Sequence, residues 1–457
     1  MTINKNDELI IEIEDIGSDG EGIGKHQGYT LFVKNALIGD KIKVKVMKTK
    51  KTYGYARLLE IIESSPYRVK PKCELAGKCG GCSIQHLAYE KQLEYKQNKV
   101  KNCLERIGGF HNELAMDPII GMEEPYYYRN KAQFPVGRDK DGNVVIGFYA
   151  GGTHSIIDTT HCYIQAEVNE EIMKKVRTFL EEYHINIYDE VQNAGLVRHI
   201  LTRVGFTTRE IMVCIIINGN ELPHKEELIR SLCEIPDMTS ICLNVNKEKT
   251  NVVLGKKVIT LWGQPFITDY IGNIKYQISP LSFYQVNPVQ TRKLYETALS
   301  FADLHGDEVV WDLYCGIGTI SLFLAQKAKL VYGVDIVPEA IDDARQNAEI
   351  NHIQNAVFFV GAAEEILPLK YKENCIADVI VVDPPRKGCE ESLLESIIQM
   401  SPKRVVYISC DPATLARDLK YLCDRGYEVS KVQVVDQFAH TVHVESVVLI
   451  SKVEDKQ

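Results

Sequence analysis

The chain has 457 residues, 45% hydrophobic and 25% charged, with a formal net charge of -9; this length exceeds one ordinary core and predicts two or three domains. No apolar run approaches the ~18 residues of a membrane span, and the polar start Met1-Thr2-Ile3-Asn4-Lys5 has no signal-peptide core. The acidic balance excludes wholesale coating of nucleic acid but leaves room for a basic face on one domain; the cytoplasm is the expected compartment, with no membrane contact and no obligate protein partner implied.

Residues 1–62 read as short strands broken by Gly17, Gly20, Gly22, Gly24 and Gly39, a spacing that favours a small OB-like β-barrel. Lys41, Lys43 and Lys45 alternate with Ile42, Val44 and Val46, so one strand face is basic and the other apolar. With Lys48, Lys50, Lys51, Arg57, Tyr53 and Tyr55 nearby, that face suits an RNA backbone and stacked bases. It equally suits an edge strand guarded by lysines against aggregation.

Residues 63–275 are mixed α+β in character. Near their start stands Cys73-x5-Cys79-Gly80-Gly81-Cys82, with Cys162 far downstream. Clustered cysteines in a reducing compartment point to metal before disulfide. Two Cys-x-x-Cys pairs are the commoner zinc pattern, whereas three cysteines plus one suit a [4Fe–4S] cluster, with zinc as the alternative. The other cysteines, such as Cys214, Cys233 and Cys242, sit singly in apolar runs and read as buried thiols. A helix is expected over Lys91 to Ile107, followed by Tyr126-Tyr127-Tyr128-Arg129-Asn130-Lys131, which suits either RNA contact or a strand.

Residues 276–457 alternate apolar strands with helices, the pattern of a doubly wound parallel sheet covered on both faces. Its strands are Val309 to Leu313, Leu330 to Asp335, Val357 to Val360, Val379 to Asp383 and Val405 to Ser409, closed by Tyr427 to Val435 and Val442 to Ile450. Asp312-Leu313-Tyr314-Cys315-Gly316-Ile317-Gly318 joins the first of these to a helix, so Gly316 and Gly318 let backbone approach a ligand, and Asp335 ends the next strand where ribose hydroxyls would lie. Ser321 replaces the third glycine of a dinucleotide motif, which favours S-adenosylmethionine over a nicotinamide cofactor. Asp383-Pro384-Pro385-Arg386 closes the fourth strand, either holding a methyl acceptor or making an ordinary turn. Cys410 follows the fifth strand in Ser409-Cys410-Asp411-Pro412 and is well placed as a nucleophile; Cys315 and Cys389 are weaker contenders. Glu445 enters an apolar strand, which requires a partner or a function.

Phe283-Tyr284-Gln285-Val286-Asn287-Pro288, Asp312 to Gly318, Asp383 to Arg386, Ser409 to Pro412 and His440 to Glu445 resemble, in order and spacing, the RNA uracil-5-methyltransferases. The resemblance implies a class I methyltransferase domain, with an N-terminal barrel similar to a TRAM domain. It implies Cys410 as nucleophile, Glu445 as base, and Gln285, Tyr314, Asp335 and Asp383 as adenosylmethionine contacts. Within that family it also implies a [4Fe–4S] cluster on Cys73, Cys79, Cys82 and Cys162. Barrel and cluster together point to the 23S rRNA branch; a tRNA uracil-5-methyltransferase and an inactive RNA-binding protein are the alternatives.

Those residue types match the chemistry. C5 of uracil is a poor nucleophile until a thiolate adds at C6. A base must afterwards remove the C5 proton. A thiol of ordinary pKa ~8.5 needs activation for this work, and nothing in the sequence identifies its source. Phe283 or Tyr284 is available to stack on a splayed base.

Overall fold

A computed structural model describes residues 3–111 and 114–453. Strands Glu8–Ile16, Gly22–His26, Tyr29–Val33, Lys41–Thr49 and Tyr53–Glu63 close into a barrel around Ile11, Leu31, Val33, Ile42, Val44 and Val46. Close strand approach requires small residues: a Cβ on Gly24 would lie 2.5 Å from the Glu12 carbonyl oxygen. The lysine alternation holds, since Ile42, Val44 and Val46 are buried. Both readings of the lysine face change, however. Lys41–Thr49 is no edge, because it pairs with Glu8–Ile16 on one side and Tyr53–Glu63 on the other. Nor is the face freely basic. Register brings acids opposite it, and Lys41 pairs with Glu63 and Lys43 with Glu8, each at 2.8 Å.

The middle of the chain forms a seven-stranded sheet in the spatial order Lys257–Gly263, Met238–Val245, Ile211–Ile217, Val197–Val204, Lys131–Arg138, Val144–Tyr149, Ile156–Asp158. Helices Asn169–Glu182 and Lys225–Leu232 bury Val176, Phe179, Leu228 and Leu232 against it. Cys214 and Cys242 are buried as expected, but Cys233 is exposed just past the second helix. The tyrosine run is not a strand. Tyr127 takes a left-handed φ of 52°, and Tyr126 packs its ring 4.5 Å from that of His440.

The C-terminal sheet has eight strands, in the order Ala356–Val360, Leu330–Asp335, Val309–Leu313, Val379–Val382, Arg404–Ser409, Glu445–Lys452, Tyr427–Val435, Met116–Ile120. The first five are parallel. Val309–Leu313 has its sequence successor on one side and Val379–Val382 on the other, so a crevice opens past its carboxyl end, where such sheets bind ligands. Parts of residues 63–275 also belong here. Met116–Ile120 supplies the edge strand, and helix Tyr89–Arg106 buries Val100 and Leu104 in one core with Leu415 and Leu419. The boundary expected at residue 275 falls inside a hairpin, Ile267–Ile271 with Ile274–Ile278, whose Ile271 and Tyr276 pack with Leu322 and Phe323. The last strand starts at Glu445 rather than Val442, because the loop before it bonds to side chains and other loops, through Phe438 and His440, instead of the sheet. Among the described residues no helix is long and apolar enough to cross a membrane.

Candidate active site

At the end of Val309–Leu313 the chain turns through left-handed φ values at Tyr314 (73°), Gly316 (54°) and Gly318 (79°). Asp335 ties the turn to the next strand: its carboxylate accepts the Gly316 N–H and the Val337 N–H, each at 2.9 Å. A Cβ at Gly316 would meet nothing within 4 Å, so this glycine faces open space, whereas one at Gly318 would press on Ala344 and Phe358 at 3.2 Å. Gly318 therefore serves helix packing and does not line the cavity. Asp312, beneath the turn, accepts the Ser321 hydroxyl at 2.5 Å, and burial pushes its carboxyl up to about 7.

The crevice is a cavity of about 1110 Å³ whose walls include Gln285, Tyr314, Gly316, Asp335, Asp383, Cys410 and Glu445. Gln285 comes from the loop before helix Pro288–Ala302, and the others come from the ends of different strands. In Ser409-Cys410-Asp411-Pro412 the strand stops, Cys410 projects, Asp411 caps helix Pro412–Cys423 by accepting from the N–H groups of Ala413 (2.9 Å) and Thr414 (3.1 Å), and Pro412 begins that helix. In Phe283 to Pro288, Asn287 caps helix Pro288–Ala302 and Tyr284 is buried in the core. Phe283, 72% exposed, stands at the cavity. Packing thus claims Tyr284 and leaves Phe283 at the cavity. Cys315 and Cys389 are buried in the two cores flanking the sheet and do not line the cavity; the Cys389 thiol donates to the Tyr407 hydroxyl at 3.6 Å.

Electrostatics link Cys410, Glu445 and Asp383. Burial, then the negative charges of Glu445 and Asp383, push the Cys410 thiol up to about 11, and Arg386 opposes them. Burial and Asp383 raise the Glu445 carboxyl well above the carboxylate range, again against Arg386. Burial and Asp312 raise Asp383 to about 7. Arg386 is thus the cation facing both Cys410 and Glu445. Sequence alone assigns Arg386 no role within Asp383-Pro384-Pro385-Arg386, because only the fold brings the two strand ends beside it. Phe438, Thr441, His443 and Arg129 also line the wall. The first three stand near Glu445 in sequence; Arg129 belongs to the run Tyr126 to Lys131, whose sequence suits RNA contact or a strand without pointing to this cavity.

Cys73, Cys79, Cys82 and Cys162 line a second cavity of about 340 Å³, and Arg129 and Gly81 form part of both cavities. Burial, then Cys162, Cys79 and Cys73, raise Cys82 to about 12, with Arg129 opposing. The Gly81 N–H donates to Cys79 Sγ at 3.4 Å and Gln85 Nε2 to Cys82 Sγ at 3.8 Å. Among the described residues, no three His, Cys, Asp or Glu side chains converge tightly enough to hold a single metal ion.

Residues 88–453 match the tRNA (uracil-5-)-methyltransferase family, and residues 4–59 match the TRAM domain. The chain belongs to the tRNA (uracil-5-)-methyltransferase family. It is 50% identical to an uncharacterised RNA methyltransferase of Clostridium tetani, over 100% of this chain and 99% of the relative. It is 52% identical to one of Halalkalibacterium halodurans, over 98% of each. Its fold matches the crystal structure of Pyrococcus abyssi tRNA (uracil-54, C5)-methyltransferase in complex with S-adenosyl-L-homocysteine, with TM-score 0.79 and 30% identity over 97% of this chain and 100% of that one. The protein is therefore an S-adenosylmethionine-dependent RNA methyltransferase of the uracil-5 family, with a class I domain and an N-terminal barrel. Because that match with a tRNA enzyme takes in nearly the full chain, barrel and all, the barrel by itself does not separate an rRNA enzyme from a tRNA enzyme.

Proposed function

We propose that this uracil-5 family member methylates C5 of a uridine in 23S rRNA through a covalent bond between Cys410 Sγ and C6 of the base. The observation that carries the reading is the convergence of Cys410, Asp383 and Glu445 on one cavity that also holds the glycine turn. That turn suits S-adenosylmethionine: Gly316 leaves the space a Cβ would take, and Gln285, Tyr314, Asp335 and Asp383 stand around it. When bound, the cofactor supplies an electrophilic methyl on a positive sulfonium.

The chain's own residues do the rest. Phe283 and Phe438 offer faces to a base turned out of its stack, which costs a few kcal/mol unless it is already unpaired. Cys410 thiolate adds to C6, and the C5–C6 π pair becomes an enolate whose C5 takes the methyl group. Glu445 then accepts the C5 proton. The C5–H pair re-forms the double bond, and the C6–S pair returns to Cys410 as thiolate. Arg386 favours the ionised forms of Cys410 and Glu445.

The four-cysteine cavity is read as the seat of a [4Fe–4S] cluster. The four cysteines line one cavity of about 340 Å³, two N–H groups already point at sulfur, and Arg129 offsets negative charge beside Cys82. Residues 1–62 serve as the RNA-holding barrel, 63–275 carry the cysteine loop, and 276–457 carry the transfer chemistry. The rRNA assignment rests on the barrel and cysteine loop occurring together. A tRNA substrate is the second reading, favoured by the Pyrococcus abyssi likeness. Mapping 5-methyluridine in rRNA and tRNA from a deletion strain, with and without Cys410→Ala complementation, decides between them. Loss confined to 23S rRNA and not restored by the variant is expected; loss confined to tRNA overturns the substrate, and restoration by Cys410→Ala overturns the covalent mechanism.

A further inference from the structure

We infer that Gln92 is a positioning residue for proton abstraction by Glu445, acting through the left-handed backbone of His440. The inference rests on the covalent mechanism just proposed.

Residues 436–444 connect the strand Tyr427–Val435 to Glu445 and carry Phe438, Thr441 and His443 to the cavity wall. Midway, His440 adopts φ 65°, a conformation that a side-chain-bearing residue keeps only when its surroundings hold it there. The holding groups come from far away in sequence. Gln92 Oε1 accepts the His440 N–H at 2.9 Å, and Gln92 Nε2 lies 3.2 Å from His440 Nδ1. The His440 carbonyl accepts from the N–H groups of Ser83 (3.0 Å) and Ile84 (3.1 Å), directly after Cys82. Gln92 is itself fixed: it is fully buried on helix Tyr89–Arg106, and its Nε2 also donates to the Leu87 carbonyl at 2.7 Å.

Gln92 lines neither cavity, and its side-chain hydrogen bonds go to Leu87 and His440. Its hold is on the loop that leads to Glu445. Cys410 and Asp383 stand on other strand ends, which this loop does not build. Phe438, on the same loop, is held separately by Lys96, which donates to its carbonyl at 2.9 Å, so loosening His440 displaces Glu445 while sparing thiol addition and methyl transfer. A bracing residue lowers every step together; a positioning residue changes how the methylated adduct divides between persistence and release.

The test uses the full chain, labelled S-adenosylmethionine and whichever RNA transcript, 23S rRNA or tRNA, the wild type methylates. Gln92→Leu removes both contacts with His440, and the bond to the Leu87 carbonyl, at similar volume. We expect its turnover to fall roughly ten- to hundredfold, the scale of a small misplacement, while single-turnover methyl transfer stays near wild type. The label should accumulate in a denaturation-resistant protein–RNA band. Gln92→Glu, which keeps the acceptor for the His440 N–H, should restore most release. His440→Gly, which accepts the same φ without its ring, should release faster than His440→Val, whose branched side chain opposes that φ. The pair covers the case in which Gln92→Leu does not fold. Parallel loss of methyl transfer and turnover, unchanged turnover, or equal release by the two His440 variants overturns the inference. Absence of any Cys410-dependent band even in Glu445→Gln overturns the covalent reading itself, and this inference with it.

Discussion

The ammonium of Lys96 lies 2.5 Å from a carboxylate oxygen of Asp436, with both side chains fully buried. Lys96 also donates to the Phe438 carbonyl at 2.9 Å, and the Tyr89 hydroxyl donates to Asp436 at 2.8 Å. A helix early in the chain is thereby fastened to the loop before Glu445. Removing one partner of a buried pair strands the other charge. Lys96→Met is expected to destabilise the protein by about 3 kcal/mol or more, measured as a shift in the urea unfolding curve. Adding Asp436→Asn to Lys96→Met should recover part of the loss.

The thiol of Cys410 predicts its own reactivity. With its pKa raised to about 11, the thiolate fraction, and so the rate of iodoacetamide labelling, should rise about tenfold per pH unit through pH 9 without a plateau. Charge neighbours act with opposite signs. Asp383→Asn removes a group that disfavours thiolate and should speed labelling at pH 8.5; Arg386→Gln removes one that favours it and should slow labelling. S-adenosylmethionine, with its positive sulfonium, should speed labelling relative to neutral S-adenosylhomocysteine. Peptide mass mapping, with Cys410→Ala as blank, reads all of these.

Protein purified without oxygen is expected to contain iron and sulfide and to show a visible absorption band. Cys82→Ser should abolish both. Stoichiometric zinc without sulfide would replace the cluster by a zinc site.

The barrel lysines should divide by partner. Lys41 and Lys43 already pair with carboxylates, so changing both to Gln should alter the salt dependence of RNA binding by less than one unit of slope. Lys48, Lys50 and Lys51 are exposed at the end of that strand and in the turn after it. Their triple Gln variant should flatten the slope by about two units, at somewhat under one per lost phosphate contact. Filter binding across a salt series gives both slopes.

A glycine turn that lets backbone approach a ligand and a cysteine beyond a strand were legible because each depends on a few consecutive residues. Asp411 caps its helix wherever that helix packs, and Gly316 keeps its φ whatever lies opposite. The alternation of Lys41, Lys43 and Lys45 with buried Ile42, Val44 and Val46 was legible for the same reason, since strand period is local. What those lysines face was not: it depends on register with Glu8 and Glu63 across two strand pairs. Tertiary structure alone brought Glu445 and Arg386 beside Cys410, chose Phe283 over Tyr284 for the cavity, set Arg129 between the two cavities, and docked helix Tyr89–Arg106 on the C-terminal sheet. These relations join residues up to hundreds of positions apart. They arise when complementary surfaces pack and shut out water, and no short stretch of sequence carries both surfaces.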